Sequence, residues 1–64
     1  MIYTQACNLA SKKAKETEEW RYVVEESWEG GGGFDYFSAS EYDLETYFYG
    51  CSVILAFGPD GDPG

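Results

Sequence analysis

Trp20-Arg-Tyr-Val-Val-Glu-Glu-Ser-Trp28 is followed by Glu29, by four glycines, Gly30 to Gly33, and then by Phe34-Asp-Tyr-Phe37. Aromatic and β-branched side chains suit a pleated, half-buried backbone, so the two halves read as strands. The glycine run exceeds the two residues of a tight hairpin turn and predicts a hairpin with a mobile tip. Alternation puts Trp20, Tyr22, Val24 and Trp28 on one face of the first strand, and Arg21, Val23, Glu25, Ser27 and Glu29 on the other. The aromatic face is expected to meet a helix. Glu26 then falls among the apolar residues, which predicts a bulge or a frayed strand end near it.

That helix lies upstream. Residues 4 to about 17 are rich in strong helix formers, with Thr4 placed to serve as N-cap. Two overlapping stripes keep helical spacing: Ala6, Leu9, Ala10 and Lys13, and Tyr3, Cys7, Ala10 and Ala14. Their residues are mostly small, so the helix is expected to lie close against the sheet. Lys12 precedes Glu16, and Lys15 precedes Glu19, by four residues. This is the weaker orientation for a helical ion pair.

Downstream, Ser38 and Glu41 fit a capping box, and Ser40 with Asp43 offers a competing register. A short helix from about Glu41 to Tyr49 would put Leu44 and Phe48 on one face, with Gly50 closing it. Alternatively, Tyr47-Phe-Tyr49 extends the last strand. Cys51 to Phe57 is an unbroken apolar run, read as a strand buried on both faces or one whose outer face meets a partner. Residues 58–64 read as a turn and a frayed tail. If the short helix carries the chain back, the third strand pairs beside the first. The expected fold is α+β, a single domain over residues 1–64. An N-terminal helix packs on a three-stranded antiparallel sheet, and a short helix lies between strands 2 and 3.

Sixty-four residues sit near the lower limit for unstapled folding. The twelve aromatics supply a small core, but there is no bulk for a deep substrate cavity. The chain contains no histidine, and neither Cys7 nor Cys51 has a basic neighbour in sequence to activate it. Asp60-Gly-Asp62 lacks the remaining ligands of a calcium loop. The four glycines are not followed by the Lys and Ser/Thr of a phosphate loop. The expectation is a protein that is not an enzyme and holds no metal or cofactor. Two distant cysteines read as free thiols, with a single bridge left open. The first residues carry neither the basic nor the apolar region of a secretory signal, and no apolar run spans a bilayer, so a cytoplasmic monomer is expected.

Charge is the strongest functional signal. The net charge is −8, and all four cations, Lys12, Lys13, Lys15 and Arg21, lie in the first third. Residues 22–64 contain nine acids and no Lys or Arg. Direct binding to nucleic acid or an anionic membrane is disfavoured, and a basic protein surface is the natural partner. Carboxylates two apart along a strand are about 6.4–6.8 Å apart, an interval of the order at which DNA presents its charges. Glu25, Glu29, Asp35, Glu41, Asp43 and Glu45 are expected to form such a track, with Glu26 beside it. Tyr36, Tyr42, Tyr47 and Tyr49 would supply the stacking area that interfaces favour.

In size, acidity, α+β pattern and lack of catalytic groups, the chain resembles the small acidic proteins that phages and mobile elements direct against host defence. These are the DNA-mimic inhibitors, anti-CRISPR proteins among them. The resemblance implies steric occupation of a DNA-binding surface on a defence effector in the bacterial cytoplasm. The other reading is a small interaction module that binds a partner through the apolar edge strand 51–57.

Overall fold

In the computed structural model the chain runs α1 (Tyr3–Thr17), β1 (Arg21–Ser27), β2 (Phe34–Ala39), α2 (Glu41–Glu45) and β3 (Ser52–Phe57). The structure describes the backbone of all 64 residues and every side chain except that of Glu29. The three strands form one antiparallel sheet in the order β2-β1-β3. The expected α+β architecture is the one observed.

Helix α1 begins one residue earlier than expected. Ile2 occupies the cap position without a side-chain hydrogen bond, so Thr4 is inside the helix and is not its N-cap. Entry is fixed by the sheet instead: the Tyr36 N–H donates to the Met1 carbonyl (3.1 Å), and the Met1 ammonium reaches Asp35 Oδ1 (3.4 Å). The helix ends where Glu18 turns left-handed (φ 54°) and its N–H caps the Ala14 carbonyl. This turn carries Glu19 off the helix surface, which explains why Lys15 does not pair with it. Lys12 and Lys13 both reach Glu16 at 3.9 Å, exposed contacts of little energetic weight.

Ala6, Ala10 and Ala14 form the buried stripe of α1, packed on Val23 and Phe57 and flanked by Cys7, Tyr36 and Leu55. This reverses the expected orientation of β1. The face that meets α1 carries Arg21, Val23 and Glu25, whereas Trp20, Tyr22, Val24 and Trp28 were expected there. An all-alanine stripe lets the helix backbone come close, and a valine fills the remaining gap where an indole does not fit. The two tryptophans lie at opposite ends of β1, 46% and 50% exposed.

Val24 and Ala39 are also fully buried, but outside the α1 cluster. They alternate onto the other face, which the chain after β2 covers: the Phe48 ring stacks on Phe37 with centroids 5.3 Å apart. The sheet thus carries two thin apolar layers. Glu26 creates no conflict, because it is exposed at its end of the face. The bulge lies elsewhere, at Ile54 of β3, where Val23 pairs with Leu55 and Val24 with Val53.

Of the two capping registers, Ser40 with Asp43 is the one formed. Ser40 Oγ accepts from the Asp43 N–H (3.2 Å), and Asp43 Oδ2 accepts from the Ser40 N–H (3.1 Å). Ser38 is still in β2 and accepts from the Arg21 guanidinium (3.2 Å), so it has no capping role. Ser40→Ala is expected to cost about 1 kcal/mol, lowering the thermal midpoint by roughly 4–8 °C in a circular-dichroism melt. Helix α2 stops at Glu45. Residues 46–50 form turns rather than helix or strand, closed by Phe48 N–H to the Asp43 carbonyl (2.8 Å) and Cys51 N–H to the Phe48 carbonyl (3.0 Å).

Strand β3 is not buried on both faces, since Val53 and Ile54 are exposed. Residues 58–64 are not a frayed tail but fold back beside β3. Gly58 N–H donates to the Asp62 carbonyl (2.9 Å), and Gly64 N–H to the Ala56 carbonyl (3.0 Å). Ser11 Oγ holds the Gly61 carbonyl at 2.6 Å, tying the segment to α1. Between Ser52 and Leu55 the outward N–H and C=O groups have no strand beside them.

The hairpin tip is closed by backbone hydrogen bonding. A single 3-10 turn spans Glu29–Gly31, and the Trp28 N–H donates to the Gly33 carbonyl (2.9 Å). Gly30, Gly31 and Gly33 all have positive φ, which explains the glycine run by backbone geometry.

A one-sided acidic face as the candidate interface

The acids expected to form one track are divided by the sheet. Glu25 pairs with Tyr36 across the hairpin, and Glu26 pairs with Asp35. Glu25 therefore lies on the α1 side and Asp35 on the α2 side. Glu25 is engaged within the fold: the Tyr36 hydroxyl donates to its Oε2 (3.2 Å). Tyr36 itself is half-buried against the α1 cluster, with the Tyr3 ring edge-on at 5.4 Å. It is part of the packing and not a free recognition surface. The side chain of Glu29 lies outside the described residues.

Burial first, and then the neighbouring Glu25 carboxylate, push the Tyr36 phenol up from its ordinary pKa near 10. Hydrogen bonding with Cys7, one helical turn on, pushes Tyr3 up as well. A phenol whose pKa is raised on folding contributes stability that is full below the unfolded pKa and lost as pH rises through the folded one. In an alkaline titration followed by tyrosinate absorbance, Tyr3 and Tyr36 are expected to ionise in a late phase, above the ordinary phenol pKa near 10. Tyr36→Phe is expected to remove part of the late phase, and a single uniform phase would contradict this assignment.

On the α2 side, Glu26 is exposed directly opposite half-buried Asp35. Like charges in this position repel, and the Met1 ammonium beside Asp35 offsets part of the cost. Glu41, Tyr42 and Glu45 are exposed on α2, whereas Asp43 is half-buried and committed to its cap. Tyr47 and Tyr49 are 80% and 84% exposed on the turn that follows.

The cations divide the same way. Lys12, Lys13 and Lys15 belong to α1, and Arg21 reaches Ser38 on the α1 side of the sheet. Glu26 and Asp35 thus share a face of the sheet to which no Lys or Arg of the described residues projects, and Glu41 and Glu45 are exposed on the neighbouring α2. A second gathering was not anticipated. Because Arg21 pairs with Phe57, the end of α1, the start of β1 and the tail meet at one end of the sheet. Glu18, Glu19, Asp60 and Asp62 approach Trp20 there, together with Glu41. Only strand order reveals this, since these residues are up to 44 positions apart.

Cys7 and Cys51 are both free and half-buried. Among the described residues, no three potential metal ligands converge, and no helix is long and apolar enough to cross a membrane. Comparison with protein-family models, with curated proteins and with solved structures yields no match.

Proposed function

We propose that this protein is a non-catalytic acidic inhibitor that occupies a basic, nucleic-acid-binding surface of a bacterial defence effector. The observation that carries this reading is the division of charge across the sheet. Every Lys and Arg lies on the α1 side, while Glu26 and Asp35 lie on the other face of the sheet and Glu41 and Glu45 are exposed on α2. A charge excess present only for solubility is usually mixed with cations, because self-repulsion costs stability. A face without Lys or Arg matches an arginine- or lysine-rich groove, which carboxylates meet through charge-assisted hydrogen bonds. Exposed Tyr42, Tyr47 and Tyr49 add rigid stacking area on which guanidinium groups lie flat.

A second reading is favoured by one observation: the outer edge of β3 is unpaired beside exposed Val53 and Ile54. That edge suits strand addition by a partner protein. One experiment separates the two. Tagged protein is used to capture partners from nuclease-treated bacterial lysate, and the bound material is eluted in a salt gradient. Release of a nucleic-acid-binding complex at moderate salt, with duplex DNA competing, is the result expected of the inhibitor. A partner that resists salt and ignores DNA would overturn that reading in favour of the edge strand.

A further inference from the structure

We propose that the indole of Trp20 is a docking post for an arginine side chain of a partner protein. The proposal deepens the inhibitor reading by naming the group that the acidic surface would grip, and it rests on that reading only for the partner's identity.

Trp20 is nearly half exposed, yet it is held in place. Its six-membered ring abuts Gly58 and Gly64, at which a Cβ would come within 3.5 Å and 2.7 Å of Cη2. Gly64 is what allows the folded-back tail to approach the ring so closely, whereas a Cβ at Gly58 would make an ordinary contact with it. An open groove lies on each side. The one toward the tail, of about 400 Å³, is bordered by Asp60 and Asp62. The other, of about 300 Å³, is lined by Glu18, Glu19 and Glu41. Acidic residues from the end of α1, the start of α2 and the tail therefore border the two grooves beside one aromatic ring, without converging on a single point.

No Lys or Arg lines either groove, and none of the five acids is in an ion pair among the described residues. Arg21 is adjacent in sequence but is turned to Ser38 on the opposite side of the sheet. Asp60 Oδ1 is engaged by the Asp62 N–H (3.1 Å), which leaves its second oxygen free to accept. The apolar ring excludes an anion, and the carboxylates favour a cation. Of the two cationic side chains, the planar guanidinium suits the site better. It lies flat on an indole while its edge donates two parallel hydrogen bonds to a carboxylate, which a compact, strongly hydrated ammonium does not do.

The test uses ¹⁵N-labelled protein and N-acetyl-arginine amide, with the lysine and citrulline counterparts as comparison probes. Citrulline keeps the shape of arginine without its charge. The Trp20 indole N–H signal is expected to shift saturably with arginine, less with lysine and not with citrulline. Trp28, equally exposed at the far end of β1, serves as the internal control and is expected to stay still. The Glu41→Gln/Asp60→Asn double variant removes charge but keeps the Asp60 turn acceptor, so the fold should persist. It is expected to bind arginine roughly threefold to tenfold more weakly. Equal shifts at both indoles, or citrulline acting like arginine, would overturn the proposal. No effector is present in this titration, so its failure would leave the lysate experiment and the inhibitor reading untouched.

Discussion

Ala10→Leu is expected to lower the midpoint of thermal unfolding by roughly 4–24 °C. Overpacking a tight core costs about 1–3 kcal/mol, and in a domain this small each kcal/mol moves the midpoint by roughly 4–8 °C. Ala10 is the central residue of the alanine stripe and has no exposed surface, and Val23 beneath it has none either. Extra carbon atoms there have no void to enter, so α1 must lift off the sheet. A single core in a chain of this length supplies only about 3–5 kcal/mol, so the upper end of the range would leave about 0–2 kcal/mol of stability. Lys13→Leu, on the exposed side of the same helix, is expected to change stability by less than about 0.5 kcal/mol. Equal melting of both variants by circular dichroism would show that the helix is not seated on its alanines.

The second large effect concerns the α2 side. Glu26→Lys, Glu41→Lys and Glu45→Lys together are expected to weaken capture of the basic partner by about a hundredfold or more. A like charge facing a basic groove costs on the order of several kcal/mol, and each 1.4 kcal/mol is about tenfold in affinity. Each reversal shifts the charge by two, so the three take the net charge from −8 to −2. All three acids are exposed, and their side chains make no hydrogen bond among the described residues, so the fold should be retained. Glu16→Lys with Glu25→Lys, on the α1 side, provides the comparison and is expected to lose far less. If loss of binding followed total charge regardless of side, the face would have no meaning and the acidity would act only through long-range attraction.

The limits of the sequence reading can be located residue by residue. Strand order, the existence of all five elements and the antiparallel pairing follow from the aromatic runs, the glycines and the capping residues. Which face of β1 meets α1 does not follow, because Val23 and Val24 are equivalent as neighbours in an alternating pattern. The choice is settled by the alanine stripe, whose close approach admits valine and excludes tryptophan. The same parity governs the site. Glu25, Glu26 and Asp35 look like one cluster on a hairpin, yet pairing Glu26 with Asp35 sends Glu25 to the opposite side. A shift of one residue would have exchanged them. The acids around Trp20 were beyond reach for another reason: their meeting depends on the fold-back of residues 58–64, and nothing in Gly58-Pro-Asp-Gly-Asp-Pro-Gly64 distinguishes a paired turn from a loose one.

Strand β3 carries no charged residue, and its outer edge between Ser52 and Leu55 is bare. Proteins ordinarily guard such an edge with a lysine, a proline or an inward-facing charge. Here only the Ile54 bulge interrupts it locally, and the remaining protection is the repulsion between whole molecules of net charge −8. That protection is a colloidal property and is set by the medium. As acidity approaches the isoelectric point near 4.1, it disappears while the edge remains, and copies of the chain become each other's nearest strand. The charge that we propose equips one face for a partner thus also keeps the protein dispersed, and storage near neutrality and at modest ionic strength follows from the same arrangement.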